Sequence, residues 1–343
     1  MKKTRELDLV VISDIHLGTY GCQAKELLKY LKSIDPKIVI LNGDIIDIWQ
    51  FIKRYFPKPH MKVVKHLLNW MKTLFKNNLF QFIRDVFSLR VHDYDLVITD
   101  FEPVSAWACK FRGVLSFGIS NQISLWQKET PKMKSHFKIS LKLLKYFAPT
   151  KLEFGLHYQR FNNRMFSPII RSKLRSIKVT QGGGIVVYLP AYDLESITQV
   201  LALFPKVQWT VFSKEIKQKT TKGLLNFCPI NEDNFLNELA QCDGVITNAG
   251  FTTTSEALFL GKPLIAIPMR GQIEQSYNAF ALKKMGATII KKLSVDKTTK
   301  ITDWLDNPKV IKVNFENDLN YLVDQIALDY IKNKYGAKMI YDL

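Results

Sequence analysis

Residues Asp243 to Leu282 gather the groups best suited to a phosphorylated ligand: DGVITNAGFTTTSEALFLGKPLIAIPMRGQIEQSYNAFAL. The apolar Val245-Ile246 reads as a short buried strand, and Asn248-Ala249-Gly250 as the tight turn after it. Thr252, Thr253, Thr254 and Ser255 are expected to cap a helix that carries Glu256 one turn in. A glycine and hydroxyl turn at a helix N-terminus suits a diphosphate, because unpaired backbone N–H groups and the helix dipole both favour anions. A carboxylate one turn further suits a ribose diol. Gly261-Lys262-Pro263 stops this helix, and Leu264 to Ile267 form the next strand. A polar loop with Gly271, Gln272, Glu274 and Gln275 then leads into a second helix holding Asn278.

Two smaller constellations lie upstream. Strands Leu7 to Ser13 and Ile38 to Leu41 are followed by Asp14-Ile15-His16 and Asn42-Gly43-Asp44. Asp14, His16 and Asp44 thus stand at the C-terminal ends of two adjacent parallel strands, and a carboxylate, an imidazole and a second carboxylate suit a divalent metal. Further on, Asp95 to Thr99 is a strand, and Asp100-Phe101-Glu102-Pro103 is the loop after it. Asp100 and Glu102 are carboxylates at a strand end, fit for general-base work and equally fit for a turn and a helix cap.

The elements that must position these groups alternate. Strands at Val114–Ile119, Ile185–Leu189, Val207–Phe212, Leu225–Pro229 and Ala287–Ile290 are interleaved with helical patterns at Val104–Phe111, Leu194–Phe204 and from Asn231 to Cys242. That alternation reads as α/β with parallel sheets. The stretch KNNLFQFIRDVFSL reads as an amphipathic helix with Leu79, Phe82, Ile83 and Phe87 on its apolar face. Gln127 to Lys145 is basic with Phe137, Leu141 and Leu144 at helical spacing. Closing helices are expected at Thr302–Leu305 and Asp318–Lys332.

The stretch from Asp243 to Leu282 resembles the donor-binding signature of GT-B glycosyltransferases that use nucleotide sugars. The match consists of the Asn-Ala-Gly turn, the Thr/Ser-rich helix start, Glu256, Gly261-Lys262-Pro263, and Glu274-Gln275-Ser276-Tyr277-Asn278-Ala279. The loop DFEPVSAWAC resembles the acceptor domain of the same group, without that domain's opening strand and Gly-x-Gly-His loop. The resemblance implies two Rossmann-like domains, the first incomplete. It places Asn248, Gly250, Thr252, Thr253, Glu256, Gln272, Glu274, Gln275 and Asn278 around a UDP-sugar, with Gln275 and Glu274 on the sugar hydroxyls. The acceptor would lie between the domains and lose its proton to Glu102 or Asp100, with no cofactor required.

The opening residues carry a second resemblance. DIHLG and GDIIDIW are similar to the first two blocks of calcineurin-like metallophosphoesterases, in the UDP-2,3-diacylglucosamine pyrophosphatase branch. It implies Asp14, His16 and Asp44 as metal ligands, holding a divalent ion such as Mn weakly. The Gly-Asn-His and Gly-His-x-His blocks of that family are missing: His60, His66, His92, His136 and His157 all stand in other settings. The join has no Gly/Ser/Pro linker, so the chain reads as two truncated frames fused. The expected divisions are 1–70 (phosphoesterase fragment), 71–175 (partial acceptor domain), 176–325 (donor domain) and 326–343 (closing helix or tail).

Composition limits the functions open to the chain. Its 343 residues are 47% hydrophobic and 23% charged, ordinary for a globular protein with more than one domain. No apolar run reaches the roughly 20 residues that span a bilayer, and no signal-peptide pattern opens the chain. A cytoplasmic location is expected, at most peripheral to the inner face of a membrane. The formal charge of +18 comes mainly from lysine. It suits attraction to a nucleotide sugar, a lipid-linked acceptor or an anionic membrane, and also a merely solvated surface. No nucleic-acid motif accompanies it. Four widely spaced cysteines form neither a metal set nor a disulfide framework. The expected function is sugar transfer from a nucleotide sugar to an unidentified acceptor. The alternatives are a metal-dependent phosphoesterase and an inactive remnant that only binds nucleotide.

Overall fold

The structure is a computed structural model that describes residues 5–13, 34–42, 79–133 and 138–336. The chain divides into two compact units, one from Met1–Gln127, Leu141–Gly155 and Gln325–Leu343, the other from Lys128–Ser140 and Leu156–Asp324.

In the first unit, β1 (Arg5–Ser13), β2 (Ile34–Asn42), β3 (Val97–Thr99), β4 (Ser116–Ser120) and β5 (Leu152–Leu156) are neighbours in that order. Each is parallel to the next, with Leu9 opposite Ile38, Val39 opposite Val97, and Ile98 opposite Phe117. The first two strands therefore extend the sheet that holds Val97–Thr99. All three residues of β3 are buried, as a parallel strand covered on both faces requires.

Helices α1 (Leu79–Ser88) and α2 (Pro103–Arg112) pack beside this sheet. Val86, Val91, Val97, Ala108 and Cys109 form one buried cluster, with Phe82 against it. The apolar face of α1 is therefore set by Phe82 and Val86, at i and i+4. Ile83 is 42% and Phe87 57% exposed, which corrects the face expected from Leu79, Phe82, Ile83 and Phe87. A one-residue shift turns a helix face by about 100°, so two neighbouring apolar stripes in one sequence are easily confused.

Helix α3 (Asn121–Trp126) follows β4, capped by Ser120 Oγ accepting Ile123 N–H at 3.2 Å. The single helical stretch expected over Gln127–Lys145 is also corrected. Residues 127–133 are not helical, and α4 covers Lys138–Phe147. Pro131 explains the break: it lacks an N–H and disfavours helical backbone in the residue before it.

The second unit opens with His157, whose N–H bonds Phe166 O at 3.0 Å in β6 (Met165–Phe166), and the short α5 (Ser172–Ser176). Its sheet comprises β7 (Ile185–Tyr188), β8 (Trp209–Phe212), β9 (Thr220–Lys222), β10 (Leu225–Cys228), β11 (Gly244–Asn248), β12 (Leu264–Ile267) and β13 (Thr288–Ile289). Their spatial order is β13-β12-β11-β7-β8-β10-β9. Every pair is parallel except β9 with β10. Connecting helices are α6 (Leu194–Leu201), α7 (Glu232–Gln241), α8 (Phe251–Phe259) and α9 (Ile273–Met285), followed by α10 (Thr298–Asp306); α11 (Leu319–Tyr335) begins in this unit, and its residues from Gln325 on belong to the first.

The strand order explains where this unit can hold a ligand. From β7 the chain proceeds outward through β8 and β10, then returns to β11 and runs outward the other way. The reversal lies between β7 and β11, and open α/β sheets bind ligands beyond the C-terminal strand ends at such a switch point. Alternation along the strands feeds two separate cores. Val186, Val245 and Ala266 enter one buried cluster, while Ile185, Val187, Ile246 and Ile265 enter the other. At the opposite end of β7, Gly184 has φ +71°, and a Cβ there would stand 2.4 Å from Gln208 O, so only glycine fits.

Among the described residues, Cys109, Cys228 and Cys242 are free and buried. Burial pushes the Cys109 thiol up to about 12 and that of Cys242 to about 11, which marks them as inert packing groups.

Candidate donor-binding site

The site is framed by Asn248, the last residue of β11. Its Nδ2 donates to Ile267 O at the end of β12 (2.9 Å), and its Oδ1 accepts Ala191 N–H in the loop after β7 (3.3 Å). One side chain, 4% exposed, thus ties together the C-terminal ends of three central strands. Asn278, on α9 and 1% exposed, donates to Ala249 O at 3.1 Å and fixes the turn between β11 and α8. Both asparagines build the cradle through their own hydrogen bonds.

Helix α8 begins differently from the sequence expectation. Thr252, Thr253, Thr254 and Ser255 lie inside the helix, and its N-cap is Gly250, which has no side chain to accept the first N–H groups. Thr254 instead bonds back to Gly250 O at 2.6 Å and is fully buried. Thr252 is exposed and Thr253 half-buried. The N–H groups of Phe251, Thr252 and Thr253 therefore meet no capping side chain, and a Cβ on Gly250 would meet nothing within 4 Å. An uncapped helix start at a sheet switch point has the donors and the positive dipole end that a pyrophosphate needs.

Glu256 is only 1% exposed. Its Oε1 accepts from Arg171 Nε at 2.6 Å and its Oε2 from Arg171 Nη2 at 2.7 Å, a bidentate pair. Burial holds the Glu256 carboxyl above its ordinary value, with the adjacent guanidinium opposing the rise. Arg171 also donates from Nη1 to Glu232 Oε1 at 2.8 Å, at the start of α7. Arg171 carries no local sequence signal, because its partners lie 61 and 85 residues away.

The second loop is also engaged with itself. Gln275, buried, accepts Met269 N–H at 3.0 Å through Oε1. Gln272 is the N-cap of α9 without a side-chain cap bond, and Gln272 and Glu274 are both half-buried. The structure thus brings Asn248, Gly250, Thr252, Thr253 and Glu256 together around α8, and Gln272, Glu274, Gln275 and Asn278 around the start of α9.

In the first unit, Glu102 is the N-cap of α2. Its carboxylate accepts Val104 N–H at 2.9 Å and Ser105 N–H at 2.7 Å, and the residue is 7% exposed. Of the two readings open for Glu102, the cap is the one its hydrogen bonds serve. Asp100 is half-buried and precedes Phe101, whose φ of +52° marks a strained turn at the end of β3.

Asp14, His16 and Asp44 lie outside the described residues, and among those that are described no group of three His, Cys, Asp or Glu side chains could hold a metal. No described helix is long and apolar enough to cross a membrane.

Comparison with known proteins gives the following. The sequence model for glycosyl transferase family 1 matches residues 57–307. That match starts inside the 1–70 stretch expected to be a phosphoesterase fragment, and no comparison supports that resemblance or a fusion. No curated protein sequence matches the chain. Phytolacca americana UGT2, solved in complex with UDP-2fluoro-glucose and pterostilbene, matches with a TM-score of 0.51 at 11% identity, covering 99% of this chain and 98% of that one. CalG4, the calicheamicin glycosyltransferase, matches with a TM-score of 0.49 at 12% identity over 99% and 97% of the two chains. The glycotransferase of kitacinnamycin gives 0.48 at 12% identity over 99% and 97%. The likeness to UGT2 is one of fold, the α/β architecture of GT-B type expected from the sequence.

Proposed function

Because the chain belongs to glycosyl transferase family 1, we propose that it takes a nucleotide-sugar donor, a UDP-sugar, beyond the C-terminal ends of β7 and β11. The observation that carries this reading is the uncapped start of α8 at Gly250, set at the switch point of the parallel sheet. In this reading the pyrophosphate rests on the N–H groups of Phe251, Thr252 and Thr253, with the two threonine hydroxyls beside them. Glu256 takes the ribose diol, and Gln272, Glu274 and Gln275 meet the sugar hydroxyls. Asn248 and Asn278 hold the two loops in register.

As the glycosidic bond breaks, charge develops on the departing pyrophosphate, and the dipole end of α8 stabilises it where it forms. No metal is required for that step. The acceptor hydroxyl must lose a proton, and Glu102 and Asp100 are the two carboxylates proposed for that role. The lysine-rich surface favours an anionic, lipid-linked acceptor at the inner face of a membrane.

Calorimetric titration of the full chain with UDP tests the reading through Gly250→Asp. An aspartate there supplies the missing N-cap and stabilises the helix, while its carboxylate repels a pyrophosphate. The expected result is an unchanged or raised melting temperature with UDP binding lost. Gly250→Asp binding UDP as the unsubstituted chain does would overturn the assignment.

A further inference from the structure

The side chain facing Glu256 makes a second point, which rests on the donor reading above. Both oxygens of this carboxylate are taken by one arginine, at 2.6 and 2.7 Å, in a position 1% exposed. Each oxygen keeps a second lone pair, but at 1% exposure with the guanidinium against both, a ribose diol reaches this carboxylate only where Arg171 moves aside. The arginine has somewhere else to go. Its side chain is 37% exposed, and its Nη1 already holds Glu232, which is 65% exposed at the first turn of α7. Lys173, two residues on, is paired with Asp233, so the loop stays anchored to α7 when the guanidinium leaves Glu256.

We infer that Arg171 is a latch on the nucleoside subsite: it closes the Glu256 carboxylate, and a ribose must open that ion pair to bind. Glu232 retains the guanidinium in the open arrangement, so opening does not leave a free cation behind. Two consequences follow for the donor. Glu256 is kept from standing as an unpaired buried charge when no nucleoside contacts it, an arrangement that would be costly. The apparent affinity for any nucleoside is lowered by the fraction of molecules in which the latch is closed.

The test uses uridine, which has the ribose but no phosphate, beside UDP, titrated into the full chain at pH 8. Arg171→Gln removes the competitor. With a latch closed in about nine molecules of ten, Arg171→Gln should bind uridine about tenfold more tightly. Arg171→Lys, which keeps the charge but cannot make the bidentate contact, should fall between the two and carries the same test if Arg171→Gln fails to fold. Uridine affinity unchanged or weakened in both variants overturns the latch. Glu256→Gln separates this from the reading beneath it. If Glu256→Gln binds UDP as the unsubstituted chain does, the ribose assignment itself falls. If it weakens UDP while the arginine variants fail to tighten uridine, only the latch falls.

Discussion

The Tyr158 hydroxyl donates to Thr254 Oγ1 across 2.6 Å, since the Thr254 proton is already given to Gly250 O. Tyr158 lies 96 residues away in sequence, so this bond buttresses the first turn of α8 from outside its own βα unit. Both residues are buried, Tyr158 at 4% exposure and Thr254 at 0%. Tyr158→Phe keeps the ring packing on Phe251 and removes only the hydroxyl. A loss of about 1 kcal/mol in unfolding free energy is expected from urea titration. A stability equal to the unsubstituted chain's would show that this bond adds nothing net.

Lys262 is a buried cation in the turn between α8 and β12. It is 3% exposed, and its Nζ donates to Thr180 O and Cys242 O, both at 2.7 Å. Burial lowers its pKa, with Cys242 and Asp243 acting the other way. Lys262→Met conserves the stem but takes the donor from two carbonyls, and should cost about 2–4 kcal/mol. Thermal melts followed by circular dichroism would report it, and a drop below about 1 kcal/mol would contradict the assigned role.

His157 gives the second unit a pH dependence. The ring is 3% exposed, with Nδ1 3.0 Å from Gln159 O. Burial pushes its pKa down from 6.5 to about 4, opposed by the bond to Gln159 and aided by Lys132. A depressed histidine is neutral when folded and takes up its proton on unfolding. Its contribution is present above about pH 6.5 and is lost as the pH falls toward 4. Between those limits the group accounts for about 3 kcal/mol. Unfolding free energy measured from pH 7 to pH 4 should fall less steeply in His157→Asn, and parallel slopes for the two proteins would rule the assignment out.

Much of the second unit's sheet was legible from local pattern. The runs at Val245-Ile246 and Leu264–Ile267 are short, apolar and bounded by turn residues, as a strand buried on both faces must be, and they became β11 and β12. The helix start at Asn231 was equally plain: Asn followed by Glu and Asp suits an N-terminus, and the Asn231 side chain accepts Asn234 N–H at 3.2 Å. Other features depend on distant partners. Strand β5 carries no such signal, because Glu153 and Gly155 interrupt its apolar residues and its identity shows only beside β4. Hydroxyl residues favour caps, so the threonines of α8 were read as its start, yet Gly250 holds that place and Thr254 is turned inward by Tyr158. The placement of Glu256 on its helix could be read from sequence. Arg171 could not, because the two meet only after the fold has closed.

The sheet of the second unit ends on one side in β9, three exposed residues reading Thr220-Thr221-Lys222 and laid antiparallel against β10. On the other side it ends in β13, two residues long. A long, flat, apolar outer strand would invite another chain to continue the hydrogen-bond ladder. Here one border is short and hydrophilic with a lysine on it, and the other offers almost no ladder to extend. The seven-stranded sheet is thereby protected from edge-to-edge self-association.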